Sequence, residues 1–84
     1  METMPSQTRE RTSDLDLASF LVARGARLIQ VVPTPDPRRF DFVLEGDEHR
    51  IEAETRSFLR GEARIDPRAF SAARRALARS LAGR

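Results

Sequence analysis

The apolar and polar positions of this chain predict five elements, and the most complete signals belong to the C-terminal one. Asp66 is a suitable N-cap, and Pro67 fits the first helical position because the N–H it lacks would be unpaired there anyway. Gly83 offers a C-terminal stop. The apolar residues between these ends recur at helical spacing, at Phe70, Ala73, Leu77 and Leu81.

A second amphipathic pattern predicts a helix over residues 14–24. Ser13 is placed as its N-cap, with Asp16 three residues later in the manner of a capping box. Gly25 marks the end of this helix. The apolar face consists of Leu17, Phe20 and Leu21.

Two stretches in the middle of the chain have the character of strands. Residues 27–32 are rich in β-branched side chains, and residues 39–44 alternate so that Phe40 and Phe42 share one face. The proline-rich segment 33–37 joins them. We expect an antiparallel hairpin that packs on helices or pairs with a second copy, because an isolated two-stranded ribbon is barely stable.

Residues 48–60 allow two interpretations. Asp47 suits an N-cap, and Ile51 and Thr55 follow the helical period, which favours a helix. Ile51, Ala53 and Thr55 also alternate as in a third strand. With the helix, the chain is predicted to be α+β, in the order helix–strand–strand–helix–helix, with a two-stranded antiparallel hairpin packed on helices.

The N-terminal residues lack a periodic pattern. Residues 1–11 are polar and mix both charges, so we expect a flexible tail, followed by a single small α+β domain over residues 12–84. No apolar run approaches the length of a membrane span, and the N-terminus lacks the apolar stretch of a signal peptide. These features predict a cytoplasmic protein with no membrane partner.

The composition excludes several kinds of chemistry. The chain has no cysteine, and all 15 of its basic residues are arginine. The missing cysteine excludes disulfides and thiolate nucleophiles, and the missing lysine excludes a Walker-type phosphate loop. The single histidine, His49, makes with Glu52 at most half of a metal site. We therefore expect no enzyme activity, no cofactor, no metal and no small-molecule substrate.

Charge is segregated along the chain. Residues 36–54 hold seven acids and three arginines, whereas residues 60–84 hold seven arginines and two acids. In the final helix, Arg68, Arg75 and Arg79 cluster opposite the apolar positions. This arginine stripe predicts contact with nucleic acid, because guanidinium groups bind phosphate bidentately. We expect DNA rather than RNA. Solvation of the stripe, or pairing of the two segments within the fold, is the alternative.

Three other functional hypotheses fit the same pattern. In the first, the hairpin edge and the acidic segment form a protein–protein module that binds a second copy, a host protein or a phage protein. In the second, residues 39–82 form the strand–helix–helix order of ribbon–helix–helix repressors. In the third, Phe40 and Phe42 form a stacking platform for single strands.

Two runs of the sequence, TSDLDLASFL at residues 12–21 and DPRAF at residues 66–70, are distinctive, together with Gly25 and the strand RFDFVL at residues 39–44. On these patterns the chain resembles a small domain family of unknown function from bacterial and phage or mobile-element proteins. The resemblance implies the same helix–strand–strand–helix–helix order and an accessory role in such a system. It supplies no site residues.

Overall fold

The computed structural model describes residues 6–82, which form three helices and three strands in the order β-α-β-β-α-α. The elements are β1 (Gln7–Thr12), α1 (Leu15–Ala23), β2 (Arg27–Pro33), β3 (Phe40–Asp47), α2 (Glu48–Leu59) and α3 (Pro67–Ala82). The predicted α+β class and the order of its five elements are confirmed. One additional strand, β1, precedes them.

The three strands form one antiparallel sheet in the order β1-β3-β2. The predicted hairpin of β2 and β3 is therefore present, but it is part of a three-stranded sheet. The flexible tail predicted over residues 1–11 is wrong for residues 7–11, which pair along the other side of β3. Residues 1–5 of that tail lie outside the described residues. The strand was missed because it is a polar edge strand, stabilised by its partner and not by its own hydrophobicity.

The central position of β3 excludes the ribbon–helix–helix interpretation. In that fold the strand pairs with a second copy, whereas both sides of β3 pair with strands of the same chain. The stacking platform is also wrong. Phe42 is only 2% exposed, and Phe40 is partly buried against the same core.

The core lies between the sheet and the helices. On β3, Phe42 and Leu44 are buried, and their partners across the β2 ladder are Val31 and Leu28. Phe20 of α1 is also buried and meets the ring of Phe58 with centroids 5.5 Å apart. The buried core cluster consists of Ala18, Phe20, Leu21, Val31, Phe42, Leu44 and Leu77. Residues of β3 at odd positions point to the opposite face of the sheet.

The ends of α1 and α2 follow local signals. The N-cap of α1 is Asp14, whose carboxylate accepts from two backbone N–H groups, so the predicted Ser13 cap is wrong by one residue. Gly25 follows α1 with φ of +110°, as expected for a glycine stop. Asp47 caps α2, and the helical interpretation of residues 48–60 is confirmed against the strand.

The start of α3 is as predicted. The Asp66 carboxylate accepts from the backbone N–H of Arg68, and Pro67 is the first helical residue. The predicted stop at Gly83 lies outside the described residues. Within residues 6–82, no helix has the length and apolar character required to cross a membrane.

Candidate nucleic-acid interface

Helix α3 packs on α1 through its apolar side. Ala73 and Leu77 are 7% and 1% exposed, and Phe70 and Leu81 are partly buried against the core. The apolar stripe predicted from the sequence is thus confirmed. Since this side is fixed against α1, the opposite side of α3 faces away from the core.

The three arginines of the predicted stripe lie on that outer side, and all are exposed. At 1.5 Å per residue, Arg75 and Arg79 are about 6 Å apart along the helix axis, and Arg68 is about 10 Å from Arg75. Within residues 6–82, none of the three forms an ion pair. The structure therefore brings the predicted site residues together as a row of solvent-facing positive charges.

Arg74, at the border of the stripe, behaves differently. Its side chain is half exposed, and its guanidinium lies 2.7 Å from the carboxylate of Asp16 on α1. This ion pair neutralises one arginine of α3 and ties the middle of the helix to the first turn of α1.

A second group of arginines lies on the sheet face opposite the core. Arg9 and Arg27 both bond to the carboxylate of Glu45, at 3.2 and 2.5 Å. Arg11 bonds to Asp41 at 2.7 Å. The hydrogen bond from Arg9 and the contacts with Arg27 hold the pKa of Glu45 below its ordinary value, and partial desolvation opposes them. Each of the three arginines of this face thus has a carboxylate partner, although Arg9 and Arg27 share one.

The pairing pattern corrects one expectation about the charge segregation. The acids of residues 36–54 pair mainly with arginines that precede them in the chain, and Glu54 does so with Arg24 at 3.0 Å. Within residues 6–82, no arginine of residues 60–82 pairs with that acidic segment. Pairing between the two segments therefore does not neutralise the arginine stripe.

Two more arginines extend the unpaired positive charge beyond the predicted stripe. Arg60 is the C-cap of α2, and Arg64 lies in the connection to α3. Both are exposed, and neither forms an ion pair within the described residues. In the sequence, the only feature that indicates these two arginines is the excess of positive charge over residues 60–84. A helical projection aligns only arginines within one helix, so it gives no signal for an arginine in a connection.

The remaining candidates do not form a recognisable site. In residues 6–82, no three His, Asp or Glu side chains are placed to hold a metal ion. A pocket of 250 Å³ at the C-terminal end of α1 has charges of both signs in its lining, including Arg24 with its partner Glu54. A groove between β1 and α2 is lined by Glu10, Glu48 and Glu52 and by Leu59, which is 71% exposed.

No protein-family model matches this chain, and neither the curated proteins nor the solved structures include a match. The resemblance to a bacterial and mobile-element domain family stays a prediction.

Proposed function

We propose that this protein is a non-enzymatic nucleic-acid-binding protein, as an accessory component of a bacterial or mobile-element system, and that Arg68, Arg75 and Arg79 contact the phosphate backbone. One observation carries the proposal: the three guanidinium groups are exposed on one side of α3 and have no acidic partner within residues 6–82. An arginine without a protein partner keeps its full positive charge for an external anion.

The contrast with the sheet supports the same conclusion. Arg9, Arg11 and Arg27 lie near acids of β3 and form ion pairs with them. A phosphate that approached the sheet face would have to compete with those carboxylates. At the stripe it would displace only water and counterions, and counterion release favours binding at low salt.

The experiment replaces the three stripe arginines with uncharged glutamine, as R68Q/R75Q/R79Q. A matched control, R9Q/R38Q/R56Q, removes three arginines that are exposed and already paired with acids. Binding to labelled DNA and RNA, single- and double-stranded, is measured by fluorescence anisotropy at several salt concentrations. Circular dichroism checks that both variants fold.

We expect the stripe variant to bind at least ~30-fold more weakly, with the slope of log affinity against log salt reduced by about 2–3 for duplex DNA. The control should change the affinity by less than ~3-fold, although its net charge changes equally. Equal losses in both variants would show that net charge alone attracts the polyanion. Absence of binding by the unmodified protein would contradict the proposal directly.

A second candidate function is a protein–protein contact at the groove between β1 and α2. Leu59 is the large apolar side chain with the highest exposure in residues 6–82, at 71%, and Glu10 and Glu48 lie beside it without ion pairs there. The predicted hairpin edge is closed on the β3 side, because β3 pairs on both sides, whereas β2 is an edge strand of the sheet. The groove includes Glu48 and Glu52 of the predicted acidic segment, and both are exposed.

Light scattering coupled to gel filtration tests the self-association version of this contact. A dimeric mass that falls to the monomer in L59N, and persists in the charge-neutral control I29N, supports the groove. Ile29 is the other large apolar side chain exposed in the described residues, at 40%. A monomer at high protein concentration contradicts a homodimer.

A further inference from the structure

We infer that the nucleic acid bound is duplex DNA, with α3 lying in its major groove. This inference rests on the proposed function and names its substrate class. It follows from the shape and composition of the whole exposed side of α3, beyond the three arginines.

The exposed side of α3 is wide. The helix contacts the rest of the protein mainly through α1, and most of its remaining positions are exposed. With 3.6 residues per turn, these positions cover about 200° of the helix circumference. They are Pro67, Arg68, Ser71, Ala72, Arg74, Arg75, Ala76, Ala78, Arg79 and Ala82. A helix exposed over so wide an arc can be surrounded by a ligand on three sides.

Apart from the arginines and the first residue, Pro67, every residue of that arc is alanine or serine. The stripe arginines lie near the middle of the arc, with Ala76 at one border and Ala78 and then Arg74 toward the other. Alanine adds little width to the helix, and the guanidinium of Arg74 is held by Asp16 of α1. A helix about 10 Å across fits a major groove about 12 Å wide, with the arginines directed at its floor and their neighbours close to both backbones.

The length of α3 also suits a groove. Its 16 residues span about 24 Å, and the stripe from Arg68 to Arg79 spans about 16 Å, roughly half a turn of B-form DNA. Arginine in the major groove bonds bidentately to the O6 and N7 atoms of guanine. Alanine offers only apolar contact with thymine methyl groups, so sequence preference should be modest and rest on guanine.

The two competing nucleic acids fit less well. The major groove of duplex RNA is too narrow and deep to admit a helix. Single-strand binders stack bases on exposed aromatic rings, and all five phenylalanines of this chain are buried or partly buried in the core. The chain has no tyrosine or tryptophan to replace them.

The test uses fluorescence anisotropy of the full chain with three probes of equal length: a mixed-sequence DNA duplex, the RNA duplex of the same sequence, and the single DNA strand. Methyl green, which occupies the major groove, and netropsin, which occupies the minor groove, serve as competitors. The variant A72F adds a ring within the exposed arc of α3. Its control, A53F, adds the same ring at an exposed position of α2.

We expect the DNA duplex to bind at least ~10-fold more tightly than either other probe. Methyl green should compete and netropsin should not, and A72F should weaken duplex binding several-fold more than A53F. Equal affinity for the RNA duplex, or competition by netropsin alone, would overturn the groove assignment. If stripe substitutions still abolish binding in that case, the proposed function stands. If no probe binds, both fail.

Discussion

The open face of the sheet and the arginine stripe of α3 each hold three arginines, yet the two surfaces differ in electrostatic state. On the sheet, Arg9 and Arg27 share Glu45, which lies opposite both in the strand registers. On α3, the stripe arginines have no acid on their own side of the helix. The comparison teaches that arginine content does not identify a binding surface. The acids within reach of each guanidinium decide its availability.

The largest effect should come from reversing the charges of the two groups. In R68E/R75E/R79E we expect a folded protein whose affinity for DNA falls at least ~100-fold, because repulsion replaces three phosphate contacts. In R9E/R11E/R27E we expect a clear loss of thermal stability, since three new carboxylates face Asp41 and Glu45. Anisotropy and thermal unfolding of both variants check this. Similar behaviour of the two variants would remove the distinction between the surfaces.

The next largest effect concerns the packing of α3 on α1, which holds the arginine stripe in place. Leu77 is 1% exposed, so L77A should lower the free energy of unfolding by about 2–5 kcal/mol through lost burial and the cavity left behind. The same substitution at the exposed Leu59, L59A, should change it by less than about 0.5 kcal/mol. Urea titration measures both. A small loss in L77A would mean that α3 is not firmly packed on α1.

A smaller effect should appear as a pH dependence of the sheet. Because the folded-state pKa of Glu45 lies below its ordinary value of 4.5, its ionised form contributes stability above that pH. The contribution is lost as the pH falls through the folded-state pKa. The difference in unfolding free energy between the unmodified protein and E45Q should therefore be largest near neutrality and shrink below pH 4.5. Urea titrations across pH measure it.

The variant R9Q supplies the control for this pH dependence. The hydrogen bond from Arg9 is the largest cause of the lowered pKa of Glu45. In an R9Q background, the difference in unfolding free energy between the proteins with Glu45 and with E45Q should therefore be smaller and depend less on pH. An unchanged pH profile in R9Q would show that this bond does not form in solution.

The smallest effect should come from releasing Arg74. In D16N the guanidinium loses its carboxylate partner and becomes available beside the stripe, so the affinity for DNA should rise about 2–3-fold. The variant D36N removes the same charge from the distant pair with Arg38 and should have less effect. Anisotropy at low salt compares them. Equal gains would indicate a response to net charge.

Much of the fold was predictable because its signals are local. The cap at Asp66, the proline after it and the glycine at position 25 depend on neighbouring backbone groups alone, so they hold in any context. The apolar spacing of α3 fixed which side is buried and, with it, where the three stripe arginines lie. The helical interpretation of residues 48–60 followed from a similar local signal, the N-cap at Asp47.

The remaining features depend on partners distant in sequence. β1 carries no apolar alternation and exists because β3 offers it hydrogen bonds and acids from far along the chain. The pair Arg11–Asp41 has a sequence separation of 30, and the pair Arg9–Glu45 has a separation of 36. Arg74 likewise pairs with Asp16 at a separation of 58 residues. The sequence by itself determined the caps, the helices and the candidate stripe. Only the tertiary structure decided which arginines are neutralised, because ion pairing depends on distances in space that local periodicity does not encode.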